Sequence, residues 1–70
     1  MIIVYSDLTG VDATDKFLIG RIHNARFAVT ETAYSLQSAQ RAQLVLNDHE
    51  VRNNRIPEYV IIDKDTQEVL

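Results

Sequence analysis

Three aspartates near the start of the chain are the first residues whose type suggests chemistry. Asp7, Asp12 and Asp15 lie in or near a predicted loop, and carboxylate oxygens are the ligands that hard cations such as Ca²⁺ prefer. A calcium loop of the EF-hand type also needs alternating ligands, a central glycine and a closing glutamate. That spacing is absent, and Asp63 and Asp65 fall on another predicted turn. We therefore interpret these carboxylates as turn and capping residues, because aspartate hydrogen-bonds nearby backbone amides.

Histidines and nucleophiles are the next candidates for chemistry. His49 lies beside two acidic residues, and His23 is far away in sequence. A histidine pair with carboxylates can bind zinc or transfer protons, but neither histidine has a second ligand four residues on, as metal-binding helices do. The serines lack a nucleophile-elbow context, there is no cysteine, and two glycines make no phosphate loop. We predict no catalytic residue, no metal and no cofactor, and hence no enzyme.

The arginines offer a different kind of chemistry, the binding of acidic groups. All five lie in the middle of the chain, at Arg21, Arg26, Arg41, Arg52 and Arg55. Three of them lie on or just after a predicted helix and could form a basic face for nucleic acid or an acidic protein, although solvated helix residues need no partner. Leu44 falls on the polar side of the same helix, where it can mark the edge of a contact surface. The candidate partner-binding residues are Arg41, Leu44, Arg52 and Arg55.

The element that would position these residues is a single amphipathic helix. Ser35 is a natural N-cap, because its hydroxyl can accept a hydrogen bond from a free amide of the first turn. The apolar stripe consists of Ala39, Ala42 and Leu46, with Leu36 and Val45 at its edges. Asn53 and Asn54 can adopt a left-handed cap, and Pro57 forbids continuation. The helix should therefore end near Arg52.

Two short apolar runs predict strands at either end of the chain. Ile2–Tyr5 and Tyr59–Asp63 are rich in β-branched and aromatic residues. A turn-like stretch, Ser6–Gly10, follows the first run. Lys64–Thr66 is typical of a turn after the second, and Gln67–Leu70 could return as a short strand.

The segment between these elements permits two interpretations. Read with a period of two, residues 12–30 contain a hairpin that turns at Asn24-Ala25; read with a period of 3.6, residues 12–24 form a helix. The hairpin is favoured by the β-branched and aromatic content of Phe17–Ile22 and Phe27–Thr30.

Together these elements predict a single α+β domain covering residues 1–70. We expect a small antiparallel sheet of four to five strands in the order β-β-β-α-β, with one main helix packed on one face. The terminal strands are apolar on both faces, so one row of apolar side chains would remain open. A homodimer or a larger protein partner would cover it. If residues 12–24 were helical instead, two helices could cover both faces and a monomer would suffice.

Composition narrows the setting in which the domain works. The net charge of −3 is too small for an acidic nucleic-acid mimic. The absence of cysteine is typical of reducing compartments. No basic leader with an apolar core follows Met1, and no run approaches the roughly 20 apolar residues of a membrane span. We expect a cytoplasmic protein that does not bind membranes.

The whole-chain profile resembles a class of small phage proteins. Its features are the start at Met1, the lack of cysteine, the compact α+β pattern and the lack of a catalytic constellation. In these features it is similar to the small proteins that bacteriophages encode to bind and inhibit host or defence machinery, including anti-CRISPR proteins. The resemblance implies a binder or inhibitor of a larger host protein or complex, in the host cytoplasm, and it transfers no residue. The alternative is a nucleic-acid-associated protein that uses Arg41, Arg52 and Arg55.

Overall fold

The described part of the chain folds as four strands and one helix. The computed structural model describes residues 4–7 and 15–70, and for residues 4–7 it describes the backbone alone. The elements are β1 (Val4–Asp7), β2 (Phe17–His23), β3 (Arg26–Ala33), α1 (Leu36–Arg52) and β4 (Val60–Asp63). The α+β class and the single main helix are confirmed. Of the first predicted strand, Ile2 and Ile3 lie outside the described residues.

The sheet has the strand order β1-β3-β2-β4. The three strands β2, β3 and β4 are antiparallel, with β2 in the middle of the three, whereas β1 joins the outer edge of β3 in parallel. A wholly antiparallel sheet of four to five strands is therefore not confirmed. Ser6 and Asp7, which we predicted to lie in a turn, belong to β1, and the rest of that turn lies outside the described residues.

The hairpin interpretation of the middle segment is confirmed between residues 17 and 33. β2 and β3 pair from Phe17–Ala33 to His23–Arg26, and the two-residue turn is Asn24-Ala25. Both turn residues have positive φ, 52° and 64°, which is the conformation that a tight hairpin of right-handed twist requires. Asparagine adopts this conformation more readily than alanine does.

Gly20, a poor residue for a strand interior, has a steric reason to be there. The register of the hairpin shifts between Ile19 and Gly20, and the backbone of β3 comes close at this point. A Cβ at Gly20 would collide with the carbonyl oxygen of Ala28 and lie 3.0 Å from Cζ of Phe27. Only glycine lets the two strands approach in this way.

The helix begins and ends where the local signals place it. Ser35 caps its first turn, accepting a hydrogen bond from the backbone N of Ser38 at 3.2 Å. At the other end the backbone N of Asn53 donates to the carbonyls of His49 and Glu50. Asn54 follows with a φ of 58°, so the left-handed cap is confirmed and the chain leaves the helix after Arg52.

The inner face of α1 packs on one face of the sheet. Its close contact comes from Ala39, which is fully buried, together with partly buried Ala42 and Leu46. They pack against Phe17, Ile19, Ala33 and Ile61 of the sheet and against Tyr59, which immediately precedes β4. The small alanines bring the helix close to the sheet, as the predicted stripe implied.

The opposite face of the sheet carries a second buried cluster. Leu18, Phe27 and Ile62 have no exposed surface, and Val29 and Val60 pack against them. The prediction that one apolar row stays open is therefore wrong for these side chains. Because these side chains are buried within the chain, an uncovered sheet face does not require a partner here.

The C-terminal segment returns along β4 without forming a strand. The predicted turn is present, because Oδ1 of Asp63 accepts hydrogen bonds from the backbone N of Asp65 and of Thr66 at 2.9 and 3.2 Å. Beyond it, Ile62 and Val69 form a single antiparallel bridge. The predicted strand Gln67–Leu70 is thus reduced to this bridge and its flanking hydrogen bonds.

Candidate functional site

The side of α1 that points away from the sheet carries exposed aliphatic side chains. Leu44 is 71% exposed and Val45 is 68% exposed. At about 100° per residue they lie on the same side as Arg41, Asp48 and Arg52, roughly opposite the buried Ala39 and Leu46. We call Arg41, Leu44, Val45, Asp48 and Arg52 the outer face of α1. Val51, also more than half exposed, lies at its border.

Leu44 was predicted from the sequence, but Val45 was not. The helical period places Val45 at the edge of the apolar stripe, where a wide contact with the sheet would bury it. The sheet contacts only the narrow stripe around Ala39 and Leu46, so Val45 stays in solvent beside Leu44. Two adjacent exposed aliphatic residues, rather than one, form the apolar centre of the outer face.

The charges on the outer face alternate in sign along the helix. Nε of Arg52 lies 2.9 Å from Oδ2 of Asp48, one turn back, and both side chains are exposed. Such a pair contributes about 0.3–0.5 kcal/mol and can exchange partners readily. Within residues 4–7 and 15–70, Arg41 has no ion-pair partner. The outer face therefore presents one unpaired cation, two aliphatic side chains and an exchangeable ion pair.

Arg55 is placed on another side of the molecule. It lies beyond the helix end, and its Nε donates a hydrogen bond to a carboxylate oxygen of Glu50. Glu50 is only 4% exposed and faces inward, nine residues or about 180° from Arg41. Arg41, Arg52 and Arg55 therefore do not form one basic face. Arg52 and Arg55 each contact a carboxylate, and the carboxylate that Arg55 contacts lies on the inner side of α1.

The buried carboxylate is held in its charged form by its neighbour. The hydrogen bond from Arg55 lowers the pKa of Glu50 from its usual 4.5, against the opposing effect of burial, and the positive charges of Arg55, Arg21 and His49 add to the lowering. The same contact raises the pKa of Arg55. This pair ties the segment after the helix to the helix itself, so its role is in folding.

A second charged cluster, which the sequence reasoning did not single out, lies at the hairpin end of the sheet. His23 and Arg26 are directly opposite each other across the strands, and Arg21 lies two residues before His23 on the same face. The guanidinium of Arg21 lies over the ring of Tyr59, 5.3 Å from its centroid. A cleft of about 260 Å³ opens here, lined by Arg21, Ile22, His23, Ala28 and Glu58. Period-two alternation across the Asn24-Ala25 turn was the signal that could have found this cluster.

The residues first considered for metal or acid–base chemistry are scattered. Asp15 accepts a hydrogen bond from the hydroxyl of Thr32, Asp63 closes a turn, and Asp12 lies outside the described residues. Among residues 4–7 and 15–70, no three metal-ligating side chains come together. Within the same part of the chain, α1 is not long and apolar enough to cross a membrane.

The chain matches no protein family model, no curated protein and no solved structure.

Proposed function

We propose that this chain is a non-enzymatic protein-binding module that presents the outer face of α1 to a larger protein. The observation that carries the proposal is the pair Leu44 and Val45, both about 70% exposed on the side of the helix that folding does not use. A helix can bind by placing exposed apolar side chains of one face into a groove of the partner. That the partner is a component of host or defence machinery, which the module inhibits, rests on the resemblance of the whole-chain profile to phage-encoded inhibitors.

The chemistry around the apolar pair fits a protein partner better than a nucleic acid. A nucleic-acid face needs several cations aimed at phosphates, whereas Arg55 is held by Glu50 on the inner side, and the carboxylate of Asp48 beside Arg52 would repel a phosphate. An apolar centre rimmed by charges is typical of a protein interface, because the centre provides most of the affinity and the rim provides specificity. The alternative function through Arg41, Arg52 and Arg55 therefore has less support.

The test is a capture experiment that depends on Leu44. Tagged wild type, Leu44→Asp and Tyr34→Asp are used as baits in a lysate of the cells in which the gene is expressed. Tyr34 is a matched control, because it is also 71% exposed but precedes the helix cap and lies off the outer face. Circular dichroism establishes that the three baits are equally folded.

We expect at least one protein to be captured by wild type and by Tyr34→Asp and to be lost with Leu44→Asp. The interaction is then measured with the purified protein, where an aspartate in the apolar centre should weaken binding by at least about tenfold. If the captured proteins are the same for all three baits, the outer face is not the binding surface and the proposal fails.

A further inference from the structure

The residues of the outer face are arranged so that they complement a second copy of themselves. Arg41 and Asp48 are seven residues apart, so they lie on the same side of α1 and roughly 10 Å apart along its axis. Leu44 and Val45 lie midway between them and are both exposed. The order along the face is cation, aliphatic, aliphatic, anion.

A two-fold axis through the midpoint of this sequence brings unlike charges together. Consider an antiparallel helix pair centred between Leu44 and Val45. A residue that precedes this centre by a given number of positions then faces the residue of the other copy that follows the centre by the same number. Arg41 of one copy then lies opposite Asp48 of the other, and the symmetry repeats that contact on the far side. Leu44 meets Val45 in the centre. The pairing therefore has two equal ion-pair contacts flanking an apolar contact.

The neighbouring positions are compatible with the same register. Gln37 falls opposite Arg52, and its amide oxygen can accept a hydrogen bond from the guanidinium. Ser38 falls opposite Val51, a small side chain facing a larger one. Like charges do not meet at any of these positions, although the outer face contains two arginines and an aspartate. No like-charge contact between these positions therefore opposes self-association in this register.

We propose that the outer face of α1 binds a second copy of this chain as an antiparallel, two-fold symmetric helix pair held by reciprocal contacts between Arg41 and Asp48. The inference rests on the proposed use of this face for protein binding. It states that a second copy of the chain occupies the face when the larger target is absent. One 17-residue helix offers less contact than the roughly 1,200 Å² of a stable interface, so the dimer is weak. A larger partner that binds the same face would displace the second copy.

The test is a charge exchange read by sedimentation equilibrium from about 10 µM to about 1 mM, the range in which a small interface associates. The variants are Arg41→Asp, Asp48→Arg and the double variant with both changes. Either single change places like charges opposite each other at both contacts, and the double variant restores unlike charges in the opposite sense. Arg26→Asp, at an exposed arginine of the hairpin, matches the change in net charge of Arg41→Asp.

We expect wild type and Arg26→Asp to dimerise with similar dissociation constants. Each single variant should weaken the dimer by at least about tenfold, because like charges oppose each other twice, and the double variant should return to within about threefold of wild type. Circular dichroism of each variant separates lost association from lost helix. A monomeric wild type, or a double variant no better than the single ones, overturns the inference.

The two proposals fail in different ways. If the wild type stays monomeric but still captures a target through Leu44, the dimer proposal is contradicted and the proposed binding function stands. A dimer that follows the charge exchange, together with capture that ignores Leu44, removes the target-binding function and leaves the dimer.

Discussion

The two sides of α1 contain similar residue types but differ in burial. The inner side buries Ala39 and partly buries Leu46, and it holds one carboxylate, Glu50, against Arg55. The outer side exposes Leu44 and Val45 and carries its own carboxylate, Asp48, against Arg52. Each side thus has aliphatic residues and an ion pair, yet only the inner side is enclosed by the rest of the chain.

The difference separates residues that fold the domain from residues that are available to a partner. Burial of an aliphatic side chain contributes roughly 1.5–3 kcal/mol, which the inner side receives on folding and the outer side does not. An exposed ion pair contributes less than about 1 kcal/mol, so Asp48 and Arg52 can exchange partners at little cost. Changes on the inner side should therefore alter stability, and changes on the outer side should alter binding.

The largest expected contrast comes from placing the same larger side chain on each side. Ala39→Leu should destabilise the fold by about 1–3 kcal/mol, because the added carbons have no room between the helix and the sheet. Gln37→Leu, on the outer side, should change the free energy of unfolding by less than about 0.5 kcal/mol. Urea denaturation of both variants measures the contrast. Equal effects would show that α1 does not pack closely on the sheet.

A smaller contrast is expected from removing each carboxylate's charge. Glu50→Gln replaces the charge-assisted hydrogen bond between Arg55 and the buried carboxylate by a weaker bond to a neutral amide oxygen, and it should lower the urea midpoint of unfolding. Asp48→Asn removes an exposed pair and should change stability by less than about 0.5 kcal/mol. Thermal and urea denaturation of both variants, with Asn and Gln matching the shapes of the original side chains, provide the comparison. If Asp48→Asn is as destabilising as Glu50→Gln, burial does not distinguish the two pairs.

The helix and the hairpin could be predicted because their signals are local. Ser35, Asn53 and Asn54 act on the backbone within one turn of themselves, and Asn24-Ala25 lies between two runs of alternating residues. The position of β1 and the cover over Leu18 could not be predicted in the same way. Strand periodicity shows which side chains share a face, but it does not state which neighbour a strand takes or how completely each face is buried.

The candidate site was predictable to a similar degree. Leu44 follows from the helical period alone, because it lies opposite the apolar stripe. Val45 required knowledge of how wide the contact with the sheet is. Arg55 required knowledge of how the chain turns after Asn54, since only that turn brings its guanidinium to Glu50. The sequence thus identified Leu44 as an apolar residue of the outer face. It also grouped Leu44 with Arg55, whose guanidinium contacts Glu50 on the inner side of α1.

The smallest effect, and the one most specific to the inner pair, is its dependence on pH. Because Arg55 lowers the pKa of Glu50 in the folded state, the unfolded chain binds the proton more tightly than the folded chain does. The stabilisation is therefore complete above the unfolded pKa of about 4.5 and is lost as the pH falls through the lower folded pKa.

The difference in the free energy of unfolding between wild type and Glu50→Gln, measured by urea denaturation at a series of pH values, should be constant near neutrality and narrow below about pH 4.5. In an Arg55→Ala background the narrowing should be weaker, because the main cause of the lowered pKa is gone. A gap that stays constant through the acid range in the presence of Arg55 would mean that the contact does not favour the charged form of Glu50, and the inner pair would then resemble the outer one.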